Sequence, residues 1–320
     1  MAALRLAMPP GRSGIRFAGD EPRRYIDNAE RSSQSARMKI AVAQIHGTQD
    51  IEANRTTARG LIEQAAGAEA KIVLFPEMSI LEFFPRTPHR YEHFDLAEPI
   101  PGPTSDWFSQ AAKDFGIHIV YNHYELSREH LCFDASVVIN RNGTYIGRQR
   151  MMHLSEEPGY NEKFYYTPGW DRYHVFELEG WRFGIAICYD RHFPEVFRSF
   201  TLQGAELVLV PTAVAASEPF ADIYELEMRA AAVTHGVYIA MANRAGIEDP
   251  LTFMGRSMIL DPQGNVILTL DDKPNQIGAV DLEKNAVTKA RALFPFLRDR
   301  RPETYDLIAR THGDCPADTD

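Results

Sequence analysis

Short apolar runs recur along this chain, and they constrain its fold more than any other feature. Residues 71–75, 117–121, 181–187, 205–210 and 238–242 are runs of five to seven residues, rich in Val, Ile, Leu and Ala. Such runs are the length of strands and too short for buried helices. They show little alternation between apolar and polar residues, which points to strands buried on both faces. Helical periodicity fills the gaps between them. In residues 51–67, Ile51, Ala58, Leu61 and Ala65 recur at three- and four-residue steps or their multiples, and residues 103–115, 194–203 and 223–235 are further helices. Residues 39–44 form another β-type run. Two hairpins interrupt the alternation, one joining 132–140 to 144–153 through Arg141-Asn142-Gly143, the other joining 257–261 to 266–270. No segment repeats at a solenoid period. The expected class is α/β, a sandwich with mixed sheets.

Composition narrows the partners. The 320 residues carry a formal net charge of −10. Phosphate recognition needs clustered Lys and Arg, so nucleic acid and anionic membrane surfaces are not expected partners. The run 205–210 is cut short by Pro211 and cannot span a bilayer. Three cysteines, Cys132, Cys188 and Cys315, are too few and too scattered for a disulfide framework or a metal cluster. A reducing, cytoplasmic setting is expected, with Cys132 structural and Cys315 incidental. Residues 1–37 are Arg-rich without an apolar core, and Asp20, Glu21, Asp27 and Glu30 are unlike a transit peptide. They are expected to be a poorly ordered extension before a domain over 38–310, with 311–320 a tail.

Two strand ends carry the chemistry. The apolar run 183–187 ends at Cys188, and a helix opens six residues later at Pro194. A thiol on a tight turn between strand and helix faces a pocket and lies near amide N–H groups. Those groups favour a thiolate and can hold an oxyanion. The competing reading is a small buried hydrophobe. Ile72-Val-Leu-Phe-Pro76-Glu77 brings a carboxylate to the end of a second apolar strand. If the two strands are neighbours, Glu77 can take the thiol proton and later activate water. Taken singly, Glu77 could equally be a surface or capping residue.

These segments resemble the nitrilase superfamily of carbon–nitrogen hydrolases over residues 38–310. The resemblance rests on Phe75-Pro76-Glu77, Gly147 through His153-Leu154, and Pro158-Gly159-Tyr160-Asn161-Glu162-Lys163-Phe164. It continues through Ile187-Cys188-Tyr189-Asp190-Arg191, Gln203-Gly204-Ala205-Glu206, Pro211-Thr212-Ala213 and Arg229-Ala230 to Asn243-Arg244. It implies an αββα four-layer sandwich with two mixed sheets, assembled as a homodimer or higher homo-oligomer. It also implies a buried Glu–Lys–Cys triad that works on a small-molecule substrate with no cofactor and no metal. Glu77 and Cys188 match the triad. Glu162 matches a second glutamate that orients it, against the alternative of a solvated loop charge. The stretch with Phe83-Phe84-Pro85-Arg86 and Asp190-Arg191 is similar to the N-carbamoyl-D-amino acid branch, where an arginine holds a substrate carboxylate. A planar guanidinium suits that role, and an ion pair to Asp190 or Glu195 competes for Arg191. Residues 158–164 are more similar to the carbamoyl-amine branch. The implied substrate-binding set is Arg191, Tyr189, His153 and Phe83.

One position departs from the family. Its Arg-Lys-x-His pattern reads Arg150-Met151-Met152-His153 here, so Met151 stands where the lysine belongs. A thioether cannot hold a thiolate or an oxyanion, and losing one oxyanion donor costs about a hundred- to a thousandfold in rate. Strand alternation turns Arg150 away from Met151. Lys163 matches a lysine the family already has, and a buried His153 would tend to lose its charge. Three readings follow: a hydrolase with altered chemistry, a chain whose lysine was changed to trap substrate, and a pseudoenzyme that binds a small molecule or partner. Hydrolysis of an N-carbamoyl amino acid, carbamoyl amine or amide leads. Nitrilase or aliphatic amidase activity is the alternative among enzymes. A cysteine protease is disfavoured because His192 is too close in sequence to serve Cys188.

Overall fold

The computed structural model describes residues 37–216 and 223–310. The proposed extension, apart from Arg37, and the tail with Cys315 lie outside them. In chain order the first half comprises β1 (Arg37–Gln44), α1 (Ile51–Gly67), β2 (Ile72–Leu74), α2 (Pro103–Phe115), β3 (His118–Leu126), β4 (Cys132–Ile139), β5 (Tyr145–Arg150), β6 (Glu156–Glu157), β7 (Tyr160–Asn161) and α3 (Glu162–Tyr165). The second comprises β8 (Phe176–Leu178), β9 (Trp181–Ile185), α4 (Pro194–Leu202), β10 (Leu207–Thr212), α5 (Tyr224–His235), β11 (Tyr238–Asn243), β12 (Ala245–Glu248), β13 (Leu251–Met254), β14 (Met258–Leu260), β15 (Val266–Thr269), β16 (Gln276–Glu283) and α6 (Lys284–Leu293).

Two six-stranded sheets result, ordered β16-β1-β2-β3-β4-β5 and β15-β14-β11-β10-β9-β8. Each has a parallel centre, β1-β2-β3 in one and β9-β10-β11 in the other, flanked by antiparallel strands. The unalternated runs are explained by what covers the strands. Ile40, Ile72 and Leu74 share one core with Phe183, Ile185, Leu207 and Leu209 of the other sheet. Ala41, Val73 and Phe75 pack instead with Leu61 and Ile62 of α1 and Phe108 of α2. Val208, Val210 and Ile239 pack with Val196 and Phe197 of α4 and Met228 of α5. Successive side chains point to opposite faces, and a fully buried Val, Leu or Ile contributes about 1.5–3 kcal/mol. Both faces must therefore be covered, which gives the αββα order of layers. Gly184 in β9 has its reason here. A Cβ at that position would meet the Phe200 ring of α4 at 2.3 Å, so glycine lets the helix lie directly on the strand that leads to Cys188.

The structure departs from the sequence-based expectation in two respects. Strands β2 and β9, which precede Glu77 and Cys188, are not neighbours in one sheet but belong to the two opposed sheets. Residues 276–293 carry no continuous apolar run, yet form β16 and α6. β16 is an edge strand with most residues only partly buried, so it lacks the doubly buried signature. None of the helices among the described residues is long and apolar enough to cross a membrane.

Candidate active site

The site forms where the two sheets meet at their strand ends. β9 ends at Ile185, and Cys188 opens a 3₁₀ turn, Cys188–His192, before α4. Cys188 has φ of +42°, a left-handed conformation that a residue with a Cβ adopts only when its surroundings hold it there. Asp190 supplies much of that hold. It accepts from the backbone N–H of Ile187 at 3.3 Å, from those of Met152 and His153 at 3.2 and 3.0 Å, and pairs with His153 Nδ1 at 2.7 Å. The turn bearing the thiol is thus tied to the segment bearing Met151.

Glu77 follows β2 across the sheet gap. Met78 after it is also left-handed, with φ of +48°, and its N–H donates to Asn122 Oδ1 at 2.8 Å. The Arg244 guanidinium donates to the carbonyls of Glu77, Met78 and Leu81 at 2.7–2.9 Å and pairs with Glu248. Glu162 opens α3 and is completely buried, so it is no solvated loop charge. Its Oε2 accepts from the Ser155 N–H at 2.8 Å. The outcome is that one atom each of Glu77, Glu162 and Cys188 lies within 4.8 Å of the others. Three chain segments converge on one point, two of them, at Glu77 and Cys188, from the strand ends of facing sheets.

The other expected residues are placed as follows. Met151, just past β5, is buried in the same core cluster as Cys188, and its N–H donates to the Asp134 carbonyl. Arg150 does turn away, with two bonds to Glu125 at 2.7 and 2.6 Å and its guanidinium over the Phe133 ring. His153 stacks on Phe193 with centroids 3.6 Å apart. Tyr189 packs edge-on against His192 and Phe193. Phe83 is buried edge-on against Tyr160 and Phe253, and its N–H donates to Glu248. Lys163 is exposed. Arg191 is buried, and its Nη1 lies 3.2 Å from the Cys188 carbonyl and 3.9 Å from Sγ. Thr212 Oγ1 donates to the same Sγ at 3.4 Å.

The sequence reading missed Asp134 of β4 and Tyr166. Asp134 is buried and bonded by the Asn122 amide, and its charge acts on Glu77. An acidic residue inside the mostly apolar stretch of β4 was a usable signal, since a buried charge needs a specific reason. Tyr166 gave none. Its buried hydroxyl has no hydrogen-bond partner among the described residues and faces Asp134, Glu77 and Glu162.

Burial governs the protons. It pushes Glu77 well above the carboxylate range, and the charges of Asp134 and Glu162 add to the rise. Burial likewise raises Glu162, and it lifts Asp134 to about 7. The Cys188 thiol is raised by burial and then by Glu77, while Arg191 pulls it down. The resting site is therefore rich in protons, with a strengthened base beside a neutral thiol. The three clustered atoms could reach a small cation, but ligation requires the deprotonated forms that this burial opposes. The arrangement suits proton transfer and nucleophilic attack.

Comparison with known proteins agrees with this chemistry. The Carbon-nitrogen hydrolase family profile matches residues 39–292. The N-carbamoylputrescine amidase of Solanum lycopersicum is 30% identical over 292 residues, covering 87% of this chain and 96% of that one. The citrullinase of Francisella tularensis is 31% identical over 289 residues, covering 87% of this chain and 100% of the other. Among solved structures, the amidase from Nesterenkonia sp. AN1, with the acetamide moiety of fluoroacetamide added covalently at its active-site cysteine, superposes with a TM-score of 0.70. It is 25% identical and covers 84% of this chain and 95% of that one.

Proposed function

The chain belongs to the carbon–nitrogen hydrolase family, and from that premise we propose that it hydrolyses the C–N bond of a small N-carbamoyl compound or linear amide through Cys188. The observation that carries the reading is the buried cluster of Glu77, Glu162 and Cys188 within 4.8 Å. Glu77 takes the thiol proton as Sγ bonds to the carbonyl carbon. The Tyr189 N–H, at the start of the left-handed turn, holds the developing oxyanion. As the intermediate collapses, the C–N bond breaks and Glu77 returns the proton to the leaving nitrogen, releasing ammonia or an amine. Water, deprotonated by Glu77, then attacks the thioester-like carbonyl, the C–S bond breaks, and the thiolate regains a proton. A carbamoyl substrate that has lost ammonia leaves a carbamic acid, which yields carbon dioxide and the second amine. Glu162, anchored by Ser155, orients the pair. The choice of N-carbamoyl compounds is supported by the relatives named N-carbamoylputrescine amidase and citrullinase.

The test is ammonia release from a panel of N-carbamoyl amines, N-carbamoyl amino acids and simple amides. The chain is compared with its Cys188→Ala and Met151→Lys variants. The expected result is turnover of a carbamoyl substrate that Cys188→Ala abolishes. Turnover only by Met151→Lys would mean an intact site disarmed at one position. If neither the parent nor Met151→Lys acts on the panel, the binding pseudoenzyme, motivated by Met151, replaces the hydrolase.

A further inference from the structure

Met151 leaves an electrostatic question at the centre of the site. Glu77, Glu162 and Asp134 approach it with carboxylates, and Asp190 lies just behind the turn. When Glu77 takes the thiol proton, its negative charge passes to the sulfur and then to the oxyanion within this buried acidic cluster, which is costly without a cation. Among the described residues, the hydrogen bonds of the other nearby cations run to groups other than the thiol. Arg150 serves Glu125, Arg244 serves Glu248 and three backbone carbonyls, and His153 serves Asp190. Arg191 differs in both direction and distance. Its Nη1 reaches the Cys188 carbonyl at 3.2 Å and Sγ at 3.9 Å, and its side chain is almost completely buried.

Resting on the hydrolase reading, we propose that Arg191 is the catalytic cation of this site, holding the Cys188 thiolate and the substrate oxyanion formed when it attacks, in place of the ammonium that Met151 cannot supply. It comes from three residues beyond the nucleophile on the same 3₁₀ turn, so thiol and cation move as one unit. The guanidinium is planar and more weakly hydrated than an ammonium, which suits a buried ion-pairing position. Its other contacts include Glu227 Oε2, 3.9 Å from Nε, and the Tyr224 ring beneath. The charged groups around the thiol are thus Glu77 and Glu162 raising it and Arg191 lowering it. A further consequence separates this role from the holding of a substrate carboxylate. If Arg191 serves the thiol, its loss must damage substrates with and without a carboxylate alike, and in kcat rather than KM.

The experiment uses the full chain and its Arg191→Gln and Arg191→Lys variants. Iodoacetamide alkylation of Cys188 is followed against pH, with Cys188→Ala as the blank, and kcat and KM are measured on an N-carbamoyl amine and an N-carbamoyl amino acid. For Arg191→Gln we expect the alkylation midpoint to rise by about one pH unit or more and kcat to fall about a hundredfold or more on both substrates. Arg191→Lys keeps the charge, so its midpoint should stay closer to the parent's. It also keeps the proposal testable if the Gln variant does not fold, because a midpoint rise above one unit in the Lys variant would overturn it. An unchanged midpoint in folded Arg191→Gln, or a KM rise confined to the N-carbamoyl amino acid, also overturns it while leaving the hydrolase standing. An Arg191-dependent midpoint in a parent that turns nothing over supports the cation at the thiol and removes the hydrolase reading instead.

Discussion

Glu77 and Cys188 show how much a single residue's role depends on what lies within a few ångströms. A carboxylate in water is a weak base for a thiol. Burial and two neighbouring carboxylates raise Glu77 well above its ordinary range, which makes its ionised form a stronger base in the role proposed for it. Because the base must be ionised to act, kcat/KM should rise with pH, and the midpoint of that rise should lie above the ordinary carboxylate range. Glu77→Gln should lower kcat by about 10²- to 10⁴-fold and abolish that limb. A pH–rate profile from acidic to mildly alkaline buffer tests both statements. A limb near the value of an exposed glutamate would show that Glu77 is not the base. In the sequence these two residues were legible as strand-end groups, and Asp134 stood out only as a charge in an apolar strand. Tyr166 was invisible, because nothing in its neighbours says which way its hydroxyl points.

At the scale of elements, the loop after β2 is kept in place from the segment that follows β11 of the other sheet. Arg244 follows β11 and Glu248 ends β12, yet together they bond the carbonyls of Glu77, Met78 and Leu81 and the N–H groups of Gly47 and Phe83. Both charges are buried. Arg244→Met should therefore cost about 3–5 kcal/mol by stranding Glu248 and the carbonyls, and it should lower kcat because Glu77 loses its support. Adding Glu248→Gln should cost less than the sum of the two single changes, since the residues form one network. Urea unfolding of the two single variants and the double checks this, and strict additivity would mean that the clamp does not exist. Sequence alone placed Asn243-Arg244 only within a family pattern. Its clamping role depends on a contact across more than 160 residues.

For the whole molecule, the same burial that tunes the site makes stability depend on pH. Asp134 is raised to about 7, whereas in the unfolded chain it titrates as an ordinary carboxylate near ~3.9. Between those values the folded state binds more protons than the unfolded state, so stability is greatest at the low end and declines as pH rises through about 7. Glu77 and Glu162, raised by the same cause, act in the same direction. Asp134→Asn should flatten the fall in Tm between ~pH 5 and ~pH 8, gaining stability chiefly at the alkaline end. Thermal melts of parent and variant at the two pH values decide it, and parallel curves would place the cost elsewhere.

Taken alone, the sequence determined the doubly buried strands, the longer helices between them and the residues at their ends. Runs such as 205–210 read as strands because local periodicity and length depend only on neighbours in the chain. The positions of Cys188 and Glu77 after strands were equally local. Tertiary structure decided what those ends meet. It set Glu77 and Cys188 on opposed sheets rather than adjacent strands, buried Glu162 at the start of α3, and turned Arg191 toward the thiol. The physical reason is that each of these outcomes depends on layers packing face to face. Packing is a property of surfaces assembled from distant segments, and no window of sequence contains both sides of such a contact.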